Sequence, residues 1–235
     1  MHFGLFSLMT QRDRAVSARQ LYDEMVEQVK LAEAIGFDIA WFAEHHFSNY
    51  CLCPSPLAMA LALAPQTTRI RLGTAIIVAP LYHPLRMLEE IGTLDVVSGG
   101  RAVVGLGTGY QQYEFHRFGI TLETARTTFL ETLDVLEQYL SGGPVRYEGQ
   151  TIRIPETYFV VHPIQRRPDV YVAGLARDPA TRARVAERGY VPIFTTGWST
   201  IAQMAETRDL VTVANRQAAG DKSRCNVDAQ QRCPA

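Results

Sequence analysis

Short apolar runs alternate strictly with longer amphipathic segments, which predicts an α/β protein built on a parallel sheet. The apolar runs are continuous rather than alternating, as strands covered on both faces require. The turn after the first run, Ser7-Leu8-Met9-Thr10-Gln11, lacks the glycine fingerprint of a doubly wound dinucleotide fold. A TIM-type β/α barrel therefore fits better than an open sheet, and its functional loops should follow the strand C-termini. About six strand–helix units occur against the eight of a closed barrel, so the barrel is expected to be incomplete.

Phe3 to Leu8 is the first expected strand. Ser17 with Gln20 makes a capping box, and Leu21, Met25, Val29, Ala32 and Ile35 keep helical spacing until Gly36. Phe37 to Ala43 is the second strand, and Ser55-Pro56 opens a helix with cap then proline. Ile70 to Val78 reads as one strand. A helix from Pro84 carries Leu85, Leu88, Ile91 and Leu94 and ends at Ser98-Gly99-Gly100. Ala102 to Leu106 is the fourth strand, followed by a polar and aromatic loop from Gly107 to Ile120. Leu122, Phe129, Leu133, Leu136 and Leu140 mark a long helix, which Ser141-Gly142-Gly143-Pro144 breaks. An inserted hairpin is expected over about 143–168, then a strand at Val170 to Ala173. Asp178-Pro179 caps a helix closed by Gly189, Val191 to Thr195 is the sixth strand, and Thr200 with Gln203 opens the last helix. One domain is expected over 1–214, with an irregular polar tail over 215–235.

Hydrophobic residues make up 47% of the 235, charged residues 20%, and the formal net charge is −1. That balance excludes a disordered chain, a collagen-like chain and a basic nucleic-acid binder. The longest apolar run, Pro56 to Pro65, is about half a bilayer-spanning helix. The N-terminus has no positive signal-peptide region, so a cytoplasmic protein without membrane or nucleic-acid partners is expected. Four cysteines (Cys51, Cys53, Cys225, Cys233) do not make a disulfide framework in a chain this long.

The densest cluster of chemical groups is Ala43-Glu44-His45-His46-Phe47-Ser48-Asn49-Tyr50, where the second strand ends. Histidines there suit acid–base work near neutral pH, or one of them satisfies hydrogen bonds at the rim. Adjacent residues point opposite ways, so at most one should face the cavity. His45, His46, Cys51 and Cys53 are zinc-ligand types, but Cys-x-Cys stiffened by Pro54 is too tight, and no metal is expected. Gly105-Leu106-Gly107-Thr108-Gly109-Tyr110 lets backbone approach a ligand, and Gly174-Leu175-Ala176-Arg177 precedes a helix start that favours an anion. No Ser-His-Asp elbow, Walker loop or His-Glu-x-x-His helix occurs. The inventory suits a site where a cofactor does the hard step.

Several segments together resemble the bacterial luciferase-like monooxygenase family. They are Gly36-Phe37-Asp38 leading to Ala43-Glu44-His45-His46-Phe47, Leu72-Gly73-Thr74-Ala75-Ile76-Ile77-Val78, His83-Pro84, Leu94-Asp95-Val96-Val97-Ser98-Gly99-Gly100-Arg101, and Glu114-Phe115 with Phe118-Gly119. The likeness runs in order from about Phe3 to Thr196. It implies a barrel binding FMN in reduced form, supplied by a separate flavin reductase. Oxygen would then give a flavin hydroperoxide that oxidises a small organic substrate, with water excluded. A deazaflavin coenzyme carrying hydride, or a truncated non-catalytic flavin-binding protein, are the alternatives.

By position, the resemblance assigns Ala75 and Ile76 to a turn under the flavin ring, with a non-prolyl cis peptide. Gly107, Thr108, Gly109 and Tyr110 would hold the phosphate tail with Gly174, Leu175, Ala176 and Arg177, while Phe194 and Thr195 line the ring's far edge. His45 matches the histidine facing the reaction centre, with His46 packed behind it. Two departures stand out. Thr108 replaces a phosphate-gripping arginine, so FMN affinity is expected to be reduced unless Arg177 or Arg101 substitutes, and Gly107 replaces the luciferase cysteine, so light emission is not expected. With the last barrel units absent, exposed sheet edges imply a homo-oligomer.

Overall fold

The computed structural model describes residues 2–174, 178–194, 200–206, 208–209 and 212. The chain divides into two units, Met1–Val170 and Tyr171–Ala235. In the first, four parallel strands stand in the order β1 (Gly4–Ser7), β2 (Ile39–Phe42), β3 (Arg71–Thr74) and β5 (Ala102–Gly107), and β4 (Ile77–Val78) pairs with β5. The crossovers are α1 (Ala18–Ala34), α2 (Pro56–Leu63) and α3 (Pro84–Ser98). After β5 come α4 (Gln112–Arg117), α5 (Leu122–Leu140) and the antiparallel hairpin β6 (Val145–Glu148) and β7 (Arg153–Thr157). The second unit runs β8 (Val170–Ala173), α6 (Pro179–Arg188) and β9 (Val191–Ile193), with β8 and β9 parallel. Residues 201–206 are helical.

The helix boundaries follow from local chemistry. Ser17 accepts from the Gln20 amide and Ser55 from the Ala58 amide, each satisfying an orphan N–H of the first turn. The expected box at Ser17 is only half made, because Gln20 Nε2 donates to Glu24 instead. Asp178 caps α6 and Thr200 caps the helical turn after it. At the other ends, Gly99 and Gly189 take left-handed caps. Met25, Val29 and Ala32 of the α1 stripe are buried, whereas Ile35 at its end is 65% exposed.

Two expectations need correction. The run from Ile70 to Val78 is two strands rather than one, split at a cis Ala75–Ile76 peptide bond, so β4 leaves β3 and pairs with β5 alone. The segment after Gly107 is not a continuous loop, since it contains α4.

The side chains of Ile91, Leu94, Phe129, Leu133 and Leu136 are fully buried, the expected apolar stripes of α3 and α5. On the opposite sheet face, Trp41 lies against Gly73, where an added Cβ would come within 2.5 Å of the ring. Glycine at that position makes room for the indole. The hairpin is anchored by Glu131, whose carboxylate accepts from the Gln150, Thr151 and Ile152 amides and the Thr151 hydroxyl. Burial pushes this carboxyl up, but those donors outweigh it and hold the group below its ordinary value. Among the described residues, no helix is long and apolar enough to cross a membrane.

Candidate functional site

The C-terminal ends of β2, β3 and β5 bring three expected segments together: the histidine pair, the 75–76 turn and the glycine loop. The Ala75 amide donates to Phe42 O, which ties the turn to the end of β2. Val78 stands opposite Gly107 in the β4–β5 register. Gly109 then folds onto the turn with φ +80, where a Cβ would lie 2.6 Å from Val78 Cγ1. Neither the torsion nor the space admits a larger residue there. Beneath the turn, Val78, Phe115 and Ala125 form a buried cluster with Ile76, Leu81 and Ile120 against it. The half-buried Ala75–Ile76 step is thus an apolar shelf with a solid backing.

His45 is 8% exposed, and its Nδ1 lies 3.0 Å from Glu114 Oε1. That oxygen also accepts from the His46 amide at 2.8 Å, and a backbone N–H can only donate. Oε1 is therefore an acceptor, and His45 Nδ1 must carry the hydrogen, leaving Nε2 as the atom free to take a proton. Tyr110 Oη is 3.4 Å from Nε2. The rings of Tyr50 and Tyr110 stand edge-on to the imidazole at 4.9 and 5.6 Å. Tyr113 Oη donates to Glu114 as well, at 3.2 Å.

His46 has a carboxylate of its own. Its Nε2 lies 3.0 Å from Glu44 Oε1, while its ring packs edge-on to Phe118. Glu44 Oε2 accepts from the Val78 amide and the Tyr82 hydroxyl. Burial drives the Glu44 carboxyl above its ordinary range, and contacts with His46, Val78 and Tyr82 pull only part of the way back. Two histidines next to each other in sequence are thus held by two different buried carboxylates. His45 faces Tyr50 and Tyr110, and the His46 ring packs with Phe47 and Phe118.

Not every expected residue joins this cluster. Gly174 follows β8 with φ +87 and Phe194 follows β9, both in the second unit. Leu175, Ala176, Arg177 and Thr195 lie outside the described residues, as do Cys225 and Cys233. Arg101, one of the two arginines that could have substituted for the missing phosphate partner, is engaged elsewhere. Its guanidinium donates to Ala64 O, Thr67 O, Ile70 O, Ser98 O and Thr67 Oγ1, all around the start of β3 and the turn into β5, away from the strand C-termini. Arginine's planar fork matches that set of carbonyls. Cys51 and Cys53 are both buried; desolvation pushes the Cys53 thiol up to about 12. No group of three or more metal-ligating side chains comes together among the described residues.

Sequence reasoning missed Glu114 as a site residue, and with it Tyr82 and Tyr113. The one signal that pointed to Glu114 was a carboxylate beside Phe115 in the resemblance motif, 69 positions from His45.

Residues 1–230 match the model of the luciferase-like monooxygenase family. An uncharacterised protein of Sinorhizobium fredii is 44% identical over 184 residues, 78% of this chain and 52% of that protein. The oxygenase component of a flavin-dependent trigonelline monooxygenase from Acinetobacter baylyi is 31% identical over 192 residues, 80% of this chain and 52% of that protein. The chain thus spans about half the length of the curated relatives it matches. Among solved structures, monooxygenase RslO1 of Streptomyces bottropensis superposes with a TM-score of 0.87 at 28% identity, covering 93% of this chain and 67% of that one. A coenzyme F420-dependent tetrahydromethanopterin reductase of Methanopyrus kandleri superposes at 0.62 with 26% identity, over 79% of this chain and 53% of that one. Such neighbours identify the fold as the TIM-type β/α barrel, present here in incomplete form. On these matches and on the shared arrangement of strand ends, the chain belongs to the luciferase-like monooxygenase family.

Proposed function

We propose that this chain is the flavin-binding part of an oxygenase that takes reduced FMN from a separate reductase and oxidises a small organic substrate with molecular oxygen. The observation that carries the reading is His45, held by buried Glu114 with Nε2 free, beside the Ala75–Ile76 shelf and the Gly107–Tyr110 loop. The relationship to an oxygenase component that is flavin-dependent supports it.

The residues present fit a flavin. The shelf offers a flat apolar rest, backed by Val78 and Phe115, for a tricyclic ring. Gly107 and Gly109 let backbone amides approach the phosphate tail without Cβ interference, with Thr108 adding a hydroxyl. When bound, reduced flavin would supply the electrons that activate oxygen. The protein's own part is to hold the ring on the shelf, keep bulk water from the enclosed side, and take up or release a proton at His45 Nε2. Glu114 fixes the tautomer and orientation of that imidazole, as the buried carboxylate does in other histidine–carboxylate pairs.

A second reading, hydride transfer with a deazaflavin and no oxygen, is favoured by the likeness to the F420-dependent reductase. Stopped-flow absorbance separates them. Reduced FMN, then reduced deazaflavin, is mixed with the protein under nitrogen and each complex is exposed to oxygen. Tight binding of FMN with slowed, protein-dependent reoxidation supports the oxygenase; binding of deazaflavin alone overturns it.

A further inference from the structure

The Gly107–Tyr110 loop was expected to serve a phosphate with all four residues, yet the Tyr110 side chain goes elsewhere. Its hydroxyl sits 3.4 Å from His45 Nε2 and is also hydrogen-bonded to the side chains of Tyr50 and Gln111. A phenolic hydroxyl has one proton to give and lone pairs to receive one, so a Tyr between two partners can accept from one while donating to the other. Exposure rises sharply from His45, at 8%, to the two phenols, Tyr110 at 46% and Tyr50 at 43%. The imidazole is enclosed, while both phenols reach water.

The other side of the imidazole is closed. Glu114 is 2% exposed, and its Oε1 already meets His45 Nδ1, the His46 amide and the Tyr113 hydroxyl. Tyr113 continues to Ser48 Oγ at 3.2 Å. That arm begins on the nitrogen that keeps its hydrogen, not on the one that reacts.

We propose that Tyr110 and Tyr50 form a proton relay connecting His45 Nε2 to solvent, with Tyr110 acting through His45 rather than on the phosphate. The inference rests on the functional reading above, in which His45 exchanges a proton with the reacting centre. The steps balance without electron transfer. The proton on Nε2 passes to Tyr110 Oη as the Tyr110 proton passes to Tyr50 Oη, and the Tyr50 proton passes to water. Each phenol ends with one proton, the imidazole is neutral again, and one hydronium is released. Tyr110 keeps its own proton at rest because burial, then the Tyr50 contact, pushes its hydroxyl up to about 12. It therefore works as a conduit and does not store charge.

The test uses the flavin-free protein first. Histidine-¹⁵N NMR in acid, where the imidazolium is populated and Nε2 also carries a hydrogen, with His45 assigned through His45→Gln, reads the rate at which the His45 Nε2–H exchanges with solvent. Tyr110→Phe should slow that exchange by at least about tenfold, a modest fraction of what positioned proton transfer contributes. Tyr50→Phe should slow it less, because water can meet Tyr110 directly, and Tyr110→His, which can both accept and donate, should restore it. With reduced flavin added, Tyr110→Phe should bind it as the native chain does while turnover falls and its solvent isotope effect rises. Unchanged exchange in Tyr110→Phe overturns the relay, as does slowing by Tyr113→Phe alone, which would route the proton through Glu114. Equal loss of flavin binding and turnover with normal exchange would return Tyr110 to the phosphate. Failure of the native chain to bind either reduced flavin would instead sink the functional reading and leave the exchange result standing.

Discussion

Replacing Glu114 by glutamine or by alanine separates what its shape does from what its charge does. Three donors converge on Glu114 Oε1, the His46 amide at 2.8 Å, His45 Nδ1 at 3.0 Å and the Tyr113 hydroxyl at 3.2 Å, of which the first two are cut off from water. In Glu114→Gln the amide oxygen can occupy that position, because either of those two repels the NH₂ group. The His45 tautomer is kept, and only the charge-assisted share of those two bonds is lost, roughly 1 kcal/mol per bond and about 2 kcal/mol together. In Glu114→Ala two buried donors lose their acceptor at about 1–3 kcal/mol each, so a loss of about 2–6 kcal/mol is expected, before any cavity cost. Urea denaturation followed by circular dichroism gives both numbers from the midpoint and slope. Turnover should fall modestly in the glutamine variant and far more in the alanine one. Equal destabilisation by the two variants would show that charge alone matters. Losses below about 0.5 kcal/mol in both would show that water replaces the carboxylate freely, a result incompatible with the enclosure described.

Other expectations follow from the same geometry. Arg101→Lys should lower stability by about 2–3 kcal/mol, since an ammonium cannot reach the four carbonyls the guanidinium spans; flavin titration should give an unchanged affinity. Gly109→Ala should lose about 2 kcal/mol or more from its positive φ and the Val78 contact, measured by thermal unfolding. Glu44, raised by burial, adds stability below its ordinary value of 4.5 and loses it as pH climbs through the folded value, so Glu44→Gln should gain on the native chain as pH rises, read as the difference in Tm between about pH 4 and pH 8. Glu131, held low, works in the opposite sense: its anchoring is present above 4.5 and lost as pH falls through the folded value, so Glu131→Gln should cost most at neutral pH. Cys51 and Cys53 should resist iodoacetamide in the folded protein, as peptide mass spectrometry would show; rapid alkylation would mean that this part of the chain opens.

How far the sequence could be read depended on whether the cause was local. Ser17, Ser55, Asp178 and Thr200 cap within three residues, and Gly99 and Gly189 stop helices through their own backbone torsion, so those boundaries were visible. The split of β3 from β4 was hidden, because nothing in the strand-like run Leu72 to Val78 marks where pairing changes partner. Short α4 was hidden too: its first turn starts at Gln111, which makes no side-chain cap, and it has only six residues. Its position decides much of the site, because Glu114 turns to His45 and Phe115 to the shelf. The candidate histidine could be named from its place at a strand end, but its carboxylate lies 69 positions away and becomes a partner only when α4 folds back. Arg101 shows the converse error. Its charge made it one of two candidates for a phosphate, whereas its position before β5 puts it among carbonyls at the other end of the strand.

Glu44 joins two things that chemistry would otherwise leave to separate parts of the chain. One oxygen grips His46 and the other the Val78 amide, so the height of the apolar rest and the seat of the proton-handling pair are set against a single reference point. A substitution that shifts either one drags the other with it. Variation that retunes either part should therefore spare this carboxylate.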